Sequence, residues 1–314
     1  MDTGNNNNLS TIMKCNFKPY GRNFIGGKPT GRFCYGKNAA DFFAEGFGVK
    51  QIVPAYFEQN LHLQDLFTGM CFASGGAGYD PLTNQIAASL SLDQQLSMFR
   101  YVIEKLEADI GLYRTLLILR KSIYIVSIGN DDISNTYYLT PFRSFHYDED
   151  AYTDMLINLA STFYQELYGV GARRIGVVNL GPLGCIPIQR TINGGLSRQC
   201  ADKVTETTVL FNKKLASLVI TLNKKFPGAK FVYLDAYSLL MGIIENPGQY
   251  GFEVVDRGCC GTGLLETLIL CNKYSPLTCE DDTKYVFWDS YHPTEKGYSI
   301  VVSQSLMTNI DKFF

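Results

Sequence analysis

"RRIGVVNLGPLG", residues 173–184, runs from two Arg through a short β-branched apolar stretch into a loop of Asn, Gly and Pro. An apolar run of this length between helical patterns forms a strand buried on both faces. Upstream, Ala151 to about Tyr168 repeats apolar residues at helical spacing and stops at Gly169; downstream, residues 201–225 do the same and stop at Pro227-Gly228. Two further runs, "SIYIVSIG" (122–129) and "KFVYLDAY" (230–237), read as strands. Strand, helix, strand, helix, strand at this spacing predicts βαβ units and a parallel sheet. The economical architecture is one three-layer α/β/α domain over residues 1–314, with no internal repeat and no low-complexity linker.

Outside this centre, "SLDQQLSMFRYVIEKLEADIG" (91–111) places Leu92, Leu96, Phe99, Ile103 and Leu106 on one helical face. A shorter helix is expected from about Asn38 to Phe47, and the last one near Pro293, a residue suited to a first helical turn. Residues 1–36 read as ordered loop.

With 28 basic and 30 acidic residues the net charge is −2, which argues against nucleic acid or an acidic membrane surface as the main partner. No run of about 18 apolar residues predicts a membrane span, and no basic n-region with an apolar h-region opens the chain. Nine Cys point to an oxidising compartment: Cys15, Cys34, Cys71, Cys185, Cys200, Cys259, Cys260, Cys271 and Cys279. None is spaced C-x-x-C, so disulfides fit better than zinc. At least one is expected among the last four, whereas Cys71 reads as a buried thiol.

Ligands of open parallel sheets bind beyond the carboxyl ends of the strands. "GNDD" (129–132), "LGPLGC" (180–185) and "DAYS" (235–238) lie there, and "ASGGAGYD" (73–80) could join them. The last is a Gly-rich turn whose N–H groups can face a ligand closely. "GGKPTG" (26–31) is no phosphate loop, because Arg22 stands where the first Gly is needed and Pro29 follows Lys28. Of three His, His62 and His146 have no neighbouring motif. His292 lies in "FWDSYHPTE", three residues after Asp289. An Asp within one tight turn of a His can accept its Nδ1 hydrogen and leave Nε2 free as a base. An Asp turn capping the last helix fits the same spacing, and spacing alone leaves both readings open.

"DTGNNN", "PYG…PTGRF", "FASGGAGYDPLT", "GARRIGVVNLGPLGCIP", "YGFEVVDRGCCGTG" and "FWDSYHPTEKGY" follow one another in an order and spacing that resemble the plant GDSL esterase/lipase family, in particular its extracellular, anther-type branch. The resemblance covers essentially the whole chain. It implies a flavodoxin-like α/β/α fold of the SGNH-hydrolase type, a Ser–Asp–His triad acting on carboxylic esters of small-molecule or lipid substrates, no metal or organic cofactor, and secretion. By position, Asp289 and His292 match the family's D-x-x-H pair. The Gly-rich turn matches the block donating an N–H to the oxyanion, with Gly76 the favoured donor and Gly78 the other. The family's G-x-N-D block puts an oxyanion amide at Asp131, and a slip of one residue would supply Asn130 instead. Asp2, Gly4, Asn5 and Asn6 match the end of the first block, G-D-S-x-x-D-x-G-N-N. Its nucleophilic Ser stands three positions before Asp2, ahead of Met1. The resemblance therefore leads us to expect residues 1–314 to be inactive by themselves. A first central strand would precede them, between a strand near residue 73 and that at 123–128, so the sheet is expected to lack it and to leave those neighbours unpaired. A relative that binds an acyl or acetylated ligand without hydrolysis is the alternative.

Overall fold

The computed structural model describes residues 1–59 and 61–314. Three parallel strands form its main sheet: β1 (Ile123–Ser127), β2 (Arg174–Val178) and β3 (Lys230–Leu234), in the order β1-β2-β3. They run in register, with Ile123 opposite Arg174 and Arg174 opposite Lys230.

Alternation along the strands builds the layers. Ile175, Val177 and Phe231, with Tyr124, Val126 and Tyr233, face Tyr152, Leu156 and Tyr164 of helix Glu149–Gly169 and Phe211 and Leu215 of helix Asp202–Lys225. The intervening Ile123, Ile125, Val178, Val232 and Leu234 face the other way, onto Phe43 of helix Ala39–Gly46 and Val302 and Leu306 of helix Glu295–Asn309. Helices thus cover both faces, and the protein is of the α/β class with parallel strands. Gly176 is needed in the middle strand: a Cβ there would lie 2.7 Å from Ile125 Cδ1 and 3.0 Å from Leu234 Cδ1.

Helix limits follow capping chemistry. Asn38 caps Ala39–Gly46 in a capping box with Asp41, and Ser91 caps Leu92–Ile110 in one with Gln94. The last helix starts at Glu295, two residues after Pro293, because the Thr294 side chain accepts the Gly297 N–H and fixes the end.

The expected strand near residue 73 is a difference. Only one isolated parallel bridge forms there, between Ala55 and Cys71. Side chains take up the carbonyls that a longer ladder would use: Asn5 Nδ2 donates to Cys71 O and Ala73 O (2.9 and 2.8 Å), and Asn6 Nδ2 to Gly75 O (2.9 Å). A second small sheet, β4 (Val254–Gly258) parallel to β5 (Tyr285–Phe287), leads straight into "WDSYH". No described helix is long and apolar enough to cross a membrane.

Candidate active site

β5 ends at Phe287, and the chain turns at once. Trp288 N–H donates to His292 O (2.7 Å), closing a loop of five residues. Inside it the Tyr291 and His292 N–H groups both donate to Asp289 Oδ1 (2.9 and 2.7 Å). The His292 ring is thereby brought over the same carboxylate, with Nδ1 2.9 Å from Oδ1 and 3.0 Å from Oδ2. The spacing of three residues makes this contact local, within one turn of chain. The capping reading gives way to it, since Thr294 and not Asp289 caps the helix.

Asp289 is fully buried. Burial alone would push its carboxyl up, but the facing His292 charge and the hydrogen bonds from His292 and Tyr291 outweigh it, and the group is held below the ordinary Asp range. His292 keeps 30% of its side chain exposed, and Phe33 lies 5.0 Å from its ring. Its Nε2 has no hydrogen-bond partner among the described residues.

His292 opens on a cavity of about 590 Å³ that Asp2, Gly75, Gly76, Asn130 and Asp131 also line. The opening loop forms one wall. Asp2 is 1% exposed; its Oδ1 accepts the N–H of Gly4 and Asn5 (2.8 and 2.7 Å), and its Oδ2 those of Asn6 and Gly75 (3.2 and 3.3 Å). Burial raises its pKa against these bonds. Gly4 has φ +139°, a backbone that favours Gly, and a Cβ there would meet Thr30 O at 2.6 Å. Gly4, Asn5 and Asn6 are buried behind Asp2 and tie the loop to residues 71–75.

The structure separates the two glycines of the Gly-rich turn. Gly76, at φ +81°, is on the cavity wall, and its N–H has no acceptor among the described residues. Gly78 is off the wall, and its N–H is used by Asn84 Oδ1 (3.2 Å). Any Cβ on Gly78 would strike Asp132 Oδ1, at 2.2 Å. Asn130 and Asp131 both reach the cavity. The Asn130 amide has no protein partner among the described residues, whereas Asp131 Oδ1 accepts Asn135 Nδ2 (2.6 Å). Burial pushes Asp131 up, opposed by the His292 charge and by Asn135.

Asp132 was not singled out by sequence. It is fully buried and accepts the N–H of Tyr79 and Asp80 and the Thr83 hydroxyl (2.8, 3.0 and 2.7 Å), so it pins the turn that carries Gly76. Burial, with the neighbouring Asp80 charge, raises it to about 7 against those bonds. The folded chain therefore holds this proton up to about pH 7, while the unfolded chain releases it near pH 4. Stability must fall as pH rises through that window, on the order of 4 kcal/mol at 1.36 kcal/mol per pH unit, and level off above it. Urea unfolding at pH 5 and pH 7.5 checks this. The decline should be smaller in Asp132→Asn, where the raised Asp2 and Asp131 carboxyls remain, and a decline of unchanged size in that variant would contradict it.

Three disulfides form: Cys185–Cys200, Cys259–Cys279 and Cys260–Cys271, so two pairs lie among the four clustered Cys. Cys15, Cys34 and Cys71 are free and buried. His62 caps the short helix Leu63–Thr68, and His146 lies in a surface cleft of about 750 Å³ away from His292.

Comparison with known proteins places relatives beside the whole chain. GDSL esterase/lipase EXL3 of Arabidopsis thaliana is 48% identical over 313 residues, covering 100% of this chain and 86% of its own. GDSL esterase/lipase At1g20120 of the same plant is 46% identical over 314 residues, covering 100% and 78%. GDSL esterase/lipase At5g42170 is 45% identical over 312 residues, covering 99% and 84%. The family model described as GDSL-like Lipase/Acylhydrolase matches residues 2–304. On a match that spans its sheet, its Gly-rich turn and its Asp289–His292 pair alike, this chain belongs to the GDSL-like lipase/acylhydrolase family.

Proposed function

We propose that this protein is a carboxylic ester hydrolase in which His292 is the general base and Asp289 its orienting partner. The carrying observation is the Asp289–His292 contact at 2.9 Å beside a cavity, with Nε2 unengaged among the described residues. In this reading Nε2 takes the proton of a Ser hydroxyl and later returns it to the leaving alcohol. Asp289 keeps the proton on Nδ1 and stabilises the imidazolium. The Gly76 N–H and the Asn130 amide are the donors offered to the tetrahedral oxyanion. In this reading the nucleophile is the Ser that the family's first block puts three positions before its Asp, the position matched by Asp2. The acting unit is one α/β/α domain, and three disulfides favour an exported protein. Small-molecule or lipid esters are the substrate class.

Asp131 favours a second reading, binding of an acyl or acetylated ligand without turnover. Its carboxylate shares the cavity wall where negative charge would develop. An ionised group there opposes the transition state.

Two polypeptides test the proposal: residues 1–314, and the same chain led by a strand ending in Gly-Asp-Ser with the Ser three positions before Asp2. The longer one is expected to hydrolyse p-nitrophenyl acetate and to carry a fluorophosphonate label on that Ser. Labelling inside residues 1–314 would overturn the nucleophile assignment. If the longer chain is silent and Asp131→Asn restores turnover, the binding reading describes the natural sequence.

A further inference from the structure

Asp289 is held by more than its own turn. Oδ2 accepts the Tyr20 hydroxyl at 2.8 Å and the Thr267 hydroxyl at 3.1 Å. Tyr20 is wholly buried in a cluster with Phe33, Trp288 and Cys260, and its oxygen in turn accepts the Leu268 N–H at 3.0 Å. Thr267 and Leu268 belong to one loop, closed at its ends by Cys260–Cys271 and stapled again by Cys259–Cys279. Leu268 has φ +52°, a left-handed backbone costly for a branched residue that persists only where the surroundings over-determine it. Tyr20 is thus a strut joining the opening third of the chain, the disulfide loop and the carboxylate.

We propose that Tyr20 and Thr267 are positioning residues of the Asp289–His292 pair, and that the Cys260–Cys271 bridge delivers the second of them. This rests on the hydrolase reading only for its catalytic meaning, since the arrangement itself is physical. Two O–H donors on Oδ2 spread the carboxylate charge and stop the group from rotating away from Nδ1. The imidazole is then kept as its Nδ1–H tautomer with Nε2 free. Without the bridge, the loop carrying Thr267 and Leu268 loses its closure, and both contacts loosen together.

The test uses the hydrogen-bonded Nδ1–H proton of His292, read by proton and nitrogen NMR on the full chain. The chain has only three His, so assignment by His62→Gln and His146→Gln is direct. Tyr20→Phe and Thr267→Val are each expected to shift that downfield resonance and speed its exchange with water, and the pair together to abolish it. Thr267→Ser, which retains the hydroxyl, should restore it. Cys260→Ser with Cys271→Ser should shift the resonance at least as far as Thr267→Val does, because it loosens the Thr267 and Leu268 contacts together, and Thr267→Val added to it should change little further. In an ester-hydrolysing form, each hydroxyl loss is expected to lower kcat about 10–100-fold with KM unchanged, the range for supporting partners of a site. A resonance unmoved in a folded Tyr20→Phe, Thr267→Val chain overturns the proposal. Should Tyr20→Phe prevent folding, Thr267→Val and its Ser rescue decide alone. A shifted resonance without any hydrolysis supports the positioning role and counts against the hydrolase reading.

Discussion

Replacing His292 by Ala is expected to lower kcat for a p-nitrophenyl ester by about 10⁶, the scale seen when a base or nucleophile of such a triad is removed. The expectation applies to the polypeptide led by Gly-Asp-Ser. The size follows from the geometry. In the proposed mechanism Nε2 takes the nucleophile's proton, and with Ala at 292 the Asp289 carboxylate cannot stand in, since both its oxygens are engaged by Tyr20, Thr267 and Tyr291 and the His292 N–H. Asp289→Asn should cost about 10⁴, because an amide at that position favours the wrong tautomer of His292 without displacing it. Steady-state kinetics on the three proteins check both figures. A His292→Ala variant retaining more than about 1% of wild-type kcat would remove His292 from the role of base.

The second large effect concerns stability. Arg32→Ala is expected to destabilise the fold by about 3–5 kcal/mol, the cost of leaving one member of a buried ion pair alone. Arg32 is 4% exposed and grips Asp41 with a two-pronged contact, Nε to Oδ2 at 2.7 Å and Nη2 to Oδ1 at 2.8 Å. It also donates to Thr3 O and Val53 O (3.2 and 2.8 Å), so truncation strands two carbonyls along with the carboxylate. Asp41 in turn accepts the N–H groups of Asn38 and Val53 (3.1 and 2.9 Å). One pair therefore joins the opening loop at Thr3, the cap of the first helix and the segment at residue 53. Lys at position 32 should recover little, because an ammonium cannot reproduce the fork. Chemical denaturation of the three chains measures this. Against a total of about 5–15 kcal/mol for a domain, the loss removes most of the stability of a chain at the low end of that range. A change under about 1 kcal/mol would show that water enters and solvates Asp41 in the variant.

Much of the fold could be read from the chain because its determinants are local. Periodicity of two against 3.6 marked β1, β2 and β3 and the helices between them, and the caps at Asn38 and Ser91 set two helix starts. The strand expected near residue 73 was a local reading that failed. Its backbone groups are engaged by Asn5 and Asn6, side chains close to 70 positions away, and no pattern within residues 70–75 reports that.

The site divides in the same way. Asp289 and His292 are three positions apart, so a single turn can bring the ring to the carboxylate; the sequence offered that pair beside a helix-capping reading, and the structure brings the two together. The sequence determined that a Gly-rich turn follows Ala73. It favoured Gly76 without excluding Gly78, and it left Asn130 and Asp131 open. Tertiary structure decided the first choice by giving the Gly78 N–H to Asn84 and leaving that of Gly76 on the cavity. It also chose which Cys pair, and it brought Tyr20 to Asp289 across 269 residues. Contacts within a turn are set by bond geometry and side-chain type, which the sequence states outright. Contacts across the fold depend on how every intervening element packs, and that information belongs to the whole chain at once.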